Sequence, residues 1–209
     1  MPIPRHIPHE FTEHLKKGVG VNSIKSLANE ALRHPEWIDC LLDILTGHIS
    51  WDRDGMRKAA WMLHHIYLLD ERALLHHRST LTTVLDHTED PSVLREVLKV
   101  LGRPLWSDTE TDTQRVELLQ LGMDLMYDNS LPLGIHNTAI QLTSFRIVHK
   151  TECACVIQAM MQLKSTVGQE SLPLRQCAER WIARLDKMWN LSAKISLERS
   201  SLIEVELPT

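Results

Sequence analysis

The chain has 209 residues, 43% of them hydrophobic and 24% charged, which is enough apolar side chain to bury a sizeable core and excludes disorder as the default. A formal net charge of −4 excludes a molecule-wide attraction to nucleic acid or anionic lipid, so any such attraction must be local. No run approaches the ~18 consecutive apolar residues of a membrane span, and Met1-Pro-Ile-Pro-Arg-His-Ile-Pro lacks the apolar stretch of a secretory signal; a cytoplasmic protein without membrane contact is expected.

From the N-terminus, Phe11–Lys17 and Ser23–Arg33 read as an irregular helix pair, so residues 1–35 are expected to cap the more regular part of the chain. Ile24, Leu27, Ala28, Ala31 and Leu32 supply the apolar face of the second of these helices, with Asn22 or Ser23 as its cap. Four more regular pairs occupy 36–188. First helices are expected near 36–49, 71–88, 111–128 and 151–166, and second helices near 56–69, 93–103, 134–150 and 174–188. The turns between them, Asp52-Arg-Asp-Gly55, Glu89-Asp-Pro-Ser92, Asp128-Asn-Ser-Leu-Pro132 and Gln169-Glu-Ser-Leu-Pro173, combine caps and breakers. Proline fits a helix start and breaks a helix interior, so Pro91, Pro132 and Pro173 mark where second helices begin. Residues 189–209 leave this pattern. Ser200-Ser-Leu-Ile-Glu-Val-Glu-Leu-Pro alternates as a strand or extended strap would, expected either to cover the last helix pair or to be mobile.

One helical phrase returns in every second helix: Arg57-Lys-Ala-Ala-Trp-Met-Leu63, Arg95-Glu-Val-Leu-Lys-Val-Leu101, His136-Asn-Thr-Ala-Ile-Gln-Leu142 and Arg175-Gln-Cys-Ala-Glu-Arg-Trp181. Its anchors are 38, 41 and 39 residues apart. Ala60, Leu98, Ala139 and Ala178 stand three beyond the anchors and Leu63, Leu101, Leu142 and Trp181 six beyond, one face that only a stacked neighbour can bury. From about Ser23 to Lys187 the sequence resembles HEAT repeats of the armadillo-type class. A stack without a composition break is expected to form one domain, 1–209, and the resemblance implies an all-α fold, a right-handed alpha-alpha superhelix of stacked antiparallel helix pairs with second helices lining a concave surface. It also implies a ladder in which a turn acid meets the second-helix base: Asp52 with Arg57, Asp90 with Arg95, Glu170 with Arg175. The third repeat departs, because Leu131 stands five before His136.

Charge separates the two helix sets. Arg57, Lys58, Arg95, Lys99, Arg103, Arg146, Lys150, Arg175, Arg180 and Arg184 fall on expected second helices against only Glu96 and Glu179, whereas acids predominate on the first helices. With Arg57, Arg95 and Arg175 assigned to ladders, Lys99, Arg103, Arg146, Arg180 and Arg184 remain as partner-binding candidates, joined by Trp61 as an exposed aromatic. His64, His65, His76 and His77 flank one turn and form a weak metal candidate without a reinforcing motif, so no metal is assigned. Cys40, Cys153, Cys155 and Cys177 read as reduced core thiols; Cys153 and Cys155 are ~200° apart on a helix and cannot share one metal. No phosphate loop, nucleophile elbow or carboxylate pair is present, so no catalytic residue or cofactor is assigned. The leading expectation is a noncatalytic scaffold holding a protein or peptide, of acidic character, on the concave face. The alternative is a nucleic-acid binder or an enzyme resembling the HEAT-like alkylpurine DNA glycosylases on the same face, although none of their catalytic residues carries over.

Overall fold

A computed structural model describes residues 9–16, 20–104 and 110–190. They form ten α-helices: α1 (His9–Lys16), α2 (Val21–Arg33), α3 (Pro35–Leu45), α4 (Arg53–Leu69), α5 (Arg78–His87), α6 (Pro91–Leu101), α7 (Asp112–Tyr127), α8 (Leu133–Ser144), α9 (Lys150–Ser165) and α10 (Leu172–Trp189). Two 3-10 helices, Glu71–His77 and Val167–Gln169, accompany them, and no strand occurs among the described residues. The protein is all-α. Of the expected tail 189–209, Trp189 still belongs to α10 and Asn190 caps it, and the strap suggested at 200–208 lies outside the described residues.

Several helix starts obey the cap chemistry of the sequence, but α2 starts after Gly20 with no side-chain cap, so neither Asn22 nor Ser23 serves there as expected. Asp52 accepts the amide of Gly55 at 2.6 Å to begin α4, and Asp90 accepts that of Ser92 at 2.8 Å to begin α6, where Pro91 occupies the first helical position. Thr111 and Gln114 form a capping box on α7, and Ser171 caps α10. Two helix bounds also need correction. The third second helix stops at Ser144, not 150, where the hydroxyls of Thr143 and Ser144 turn back onto carbonyls of the preceding turn. The second first helix, expected at 71–88, begins as a 3-10 helix after Asp70 accepts the Arg72 amide.

Contacts divide the chain into two compact units, Met1–Glu110 and Thr111–Thr209. In the first, the second-helix layer is α2 against α4 against α6, with α3 and α5 forming the other layer. Ala59, Ala60, Met62, Leu63, Ile66, Val97, Leu98 and Leu101 are buried between them. In the second, α7 packs on α8, α9 on α10, α7 on α9 and α8 on α10. Its core holds Leu119, Met126, Ala139, Ile140, Val156, Met160 and Ala178. Close approach of α7 to α8 needs Gly122, since a Cβ there would stand 2.5 Å from Cγ2 of Thr143. In α8 the anchor and the residues four and seven beyond it, His136, Ile140 and Thr143, are buried. On α10 the matching Arg175 and Glu179 are exposed, giving that helix the polar flank of a terminal layer.

Candidate partner-docking surface

In the first unit the charged residues of the second helices are organised by two carboxylates. Asp90, besides capping α6, accepts from Arg53 and, at 3.0 Å, from Arg57 on α4. Burial alone would raise its pKa, but the two arginines and the amides of Ser92 and Val93 outweigh that and hold it far below the ordinary aspartate value. Glu96, only 4% exposed, accepts from Lys99 at 2.8 Å and Arg95 at 3.0 Å, and its other oxygen lies 2.9 Å from Nδ1 of His64 on α4. Burial again opposes ionisation, and His64 and Lys99 overcome it, bringing Glu96 down to about 2.

The ladder therefore differs from the one the family resemblance implies. Arg57 reaches forward to Asp90 of the next repeat, while Asp52 five residues before it is spent on its own helix start. Arg95 pairs with its neighbour Glu96, and no ion pair joins Glu170 to Arg175 among the described residues. In the second unit the ladder runs between first helices: Arg115 meets Glu152 at 2.9 Å and donates to the carbonyl of Arg146 at 2.7 Å.

Trp61 is half-buried on α4, its ring 5.8 Å from that of His65. It walls a groove of about 330 Å³ between α4 and α6 together with Asp54, Arg57, Lys58, Ser92, Arg95 and Glu96, Lys58 being paired with Asp54 at 2.7 Å. Arg57 and Arg95 keep side-chain exposures of 41% and 44% there, so each presents guanidinium surface beyond its carboxylate. Sequence reasoning assigned both to ladders and overlooked them as groove residues; the cue was their spacing from Trp61, four before it on the same helix face and at the matching anchor one repeat later.

The remaining candidates separate. Lys99 is bound to Glu96, and Arg103 is half-buried beside a different depression lined by Tyr67, Leu68, Leu69 and Pro104. Arg146 is 1% exposed and donates to the carbonyl of Leu142 at 2.9 Å, so it is an interior side chain and not a surface ligand. It follows the end of α8, where the chain turns inward, and burial lowers its pKa to about 10. Arg180 and Arg184 are exposed on α10, with Arg184 5.0 Å above the Trp181 ring. His64 faces Glu96 and His77 lies 3.8 Å from Asp39, so the two histidine pairs do not converge. Among the described residues no three potential ligand side chains are grouped to hold a metal. All four cysteines are free; Cys40 and Cys153 are buried, Cys177 is partly covered, and Cys155 is exposed, contrary to the expectation of a core thiol. The half-turn between Cys153 and Cys155 puts one inward and the other outward.

Within the observed helix bounds, Arg53, Arg57, Lys58, Arg95, Lys99, Arg175, Arg180, Arg184 and Lys187 stand on second helices against Asp54, Glu96, Glu179 and Asp186. The charge asymmetry survives, but α8 contributes nothing to it. Paired helices layered within each of two units, with caps between them and an excess of cations on one helix set, define a helical-repeat protein. The HEAT repeat domain family matches residues 11–179, and the chain belongs to it. No curated protein and no solved structure matches the chain. Among the described residues no helix is long and apolar enough to cross a membrane.

Proposed function

We propose that this protein is a noncatalytic, cytoplasmic docking module whose second-helix face holds an acidic protein or peptide segment, with the α4–α6 groove as its principal contact. HEAT repeats serve protein interactions as a class, and the observation that carries the reading here is the half-buried Trp61 set among Arg57, Lys58 and Arg95. An aromatic wall beside exposed arginine edges is the composition of an interaction hot spot. Asp90 holds Arg57, Glu96 holds Arg95 and Asp54 holds Lys58 in place before a partner arrives, which reduces the ordering cost of binding. Lys99 is paired with Glu96, while Arg180 and Arg184 extend the second-helix character in the other unit.

The nucleic-acid alternative would place phosphates against the same guanidinium edges of Arg57 and Arg95. A titration by fluorescence anisotropy tests both. Labelled peptides alternating glutamate with apolar residues are expected to bind, with affinity falling as salt rises, and Trp61→Ala with Arg95→Ala is expected to weaken binding at least ~10-fold. Absence of binding by every such peptide at low ionic strength removes the proposal, and tight salt-sensitive binding of duplex DNA in its place would favour the alternative.

A further inference from the structure

The two arginines of the α4–α6 groove meet their carboxylates in the same way. Arg57 approaches Asp90 with Nε, 3.0 Å from one oxygen and 3.2 Å from the other, and with Nη2 at 3.0 Å. Arg95 sets Nε and Nη2 each 3.0 Å from one oxygen of Glu96. Each guanidinium thus spends the edge formed by Nε and Nη2 on its own carboxylate, and Nη1 of both is without a partner among the described residues. Of the five N–H bonds of a guanidinium, roughly three remain on each. Both side chains line one groove and keep exposed surface there, so those donors are open to a ligand.

Charge points the same way. Among the described residues five lysine and arginine side chains pair with Asp54, Asp90 and Glu96, an excess of two positive charges. Asp90 and Glu96 are largely covered, and exposed Asp54 is tied to Lys58, so an incoming anion meets the arginines first. A carboxylate brings two oxygens and a single charge, which the fork of one guanidinium satisfies. A phosphate monoester brings three acceptor oxygens and about −1.5 to −2 charge at pH 7, enough to engage both guanidiniums at once. Trp61, on the wall of the same groove, offers an apolar surface to the residue beside the phosphate.

We propose that the occupant of the α4–α6 groove is a phosphorylated serine or threonine of a partner protein, its phosphoryl oxygens accepting from Nη1 of Arg57 and of Arg95 while the neighbouring residue lies on Trp61. This deepens the docking reading and rests on it. Docking is then governed by phosphorylation of the partner.

The test uses the full chain and three labelled peptides of one alternating acidic and apolar sequence, with serine, glutamate or phosphoserine at the central position, in anisotropy titrations near pH 7. The phosphopeptide is expected to bind at least ~10-fold more tightly than the glutamate peptide. Equal affinity of those two overturns the phosphoryl assignment and leaves the docking reading standing, whereas no binding by any of the three sinks both. Arg57→Lys/Arg95→Lys keeps the charges and loses the guanidinium forks. In that variant, with its circular dichroism spectrum unchanged, the advantage of the phosphopeptide is expected to fall below ~3-fold. An undiminished advantage puts the phosphate elsewhere and overturns the proposal. So does displacement of the labelled phosphopeptide by duplex DNA at a lower phosphate concentration than by unlabelled phosphopeptide, which would mark phosphodiesters as the ligand.

Discussion

At the anchor where three repeats carry arginine, the third carries His136, and the exchange changes what that repeat can tolerate. Its ring is fully buried and donates from Nδ1 to the carbonyl of Leu125 at 3.1 Å. Burial lowers its pKa below 6.5, against the opposing pull of the Leu125 and Leu131 carbonyls and of Asp128. The unfolded chain therefore takes up this proton more readily than the folded one. The resulting stability is complete above the unfolded value near 6.5 and is lost as pH falls through and below it. Urea denaturation at pH 7 and pH 5 should show a larger loss for the wild type than for His136→Gln, which has nothing to titrate there. Arg146 illustrates the opposite outcome of burial: about 10 is still well above neutrality, so it stays charged and adds no such pH dependence. For Lys99, reversal to glutamate would set a second carboxylate against buried Glu96 and would disturb the fold along with any docking.

Between elements, Asp90 and Gly122 show how a helix pair is fastened. Asp90 serves α6 as its cap and α4 as the receiver of Arg53 and Arg57, so Asp90→Ala removes two kinds of support at once. Loss of the cap and of the charge-assisted bonds should cost about 2 kcal/mol in urea denaturation, and Asp90→Asn, which retains a capping oxygen, should cost less. At Gly122 the problem is space. Gly122→Ala improves helix propensity by up to ~1 kcal/mol, yet its methyl would overlap Cγ2 of buried Thr143, and overpacking costs about 1–3 kcal/mol. The variant should be destabilised, and Thr143→Ser, which deletes the obstructing methyl and keeps the hydroxyl that bonds Ala139, should recover most of the loss in a double-mutant cycle.

On the scale of the molecule, the two compact units offer second-helix surfaces of different kinds: a paired-charge groove beside Trp61 in one, and in the other the exposed Arg180 and Arg184 of α10, with Arg184 over the Trp181 ring. Binding confined to the first should respond to Trp61→Ala and not to Arg184→Glu, a contrast readable in one set of anisotropy titrations. Helix order, caps and family were legible in the sequence because they rest on local chemistry: the 3.6-residue period, an Asp or Ser before an amide, a proline at a first turn, and a phrase returning every 38 to 41 residues. The docking candidates were legible only in part, since residue type identifies a cation but not its neighbour. Whether Arg57 meets Asp52 or Asp90 depends on how far one hairpin is shifted against the next, and whether Arg146 points to water depends on where α8 ends and the chain turns inward. Those outcomes are set by packing between helices ~40 residues apart, where contact is decided by close fit of side chains and carries no imprint in the local spacing.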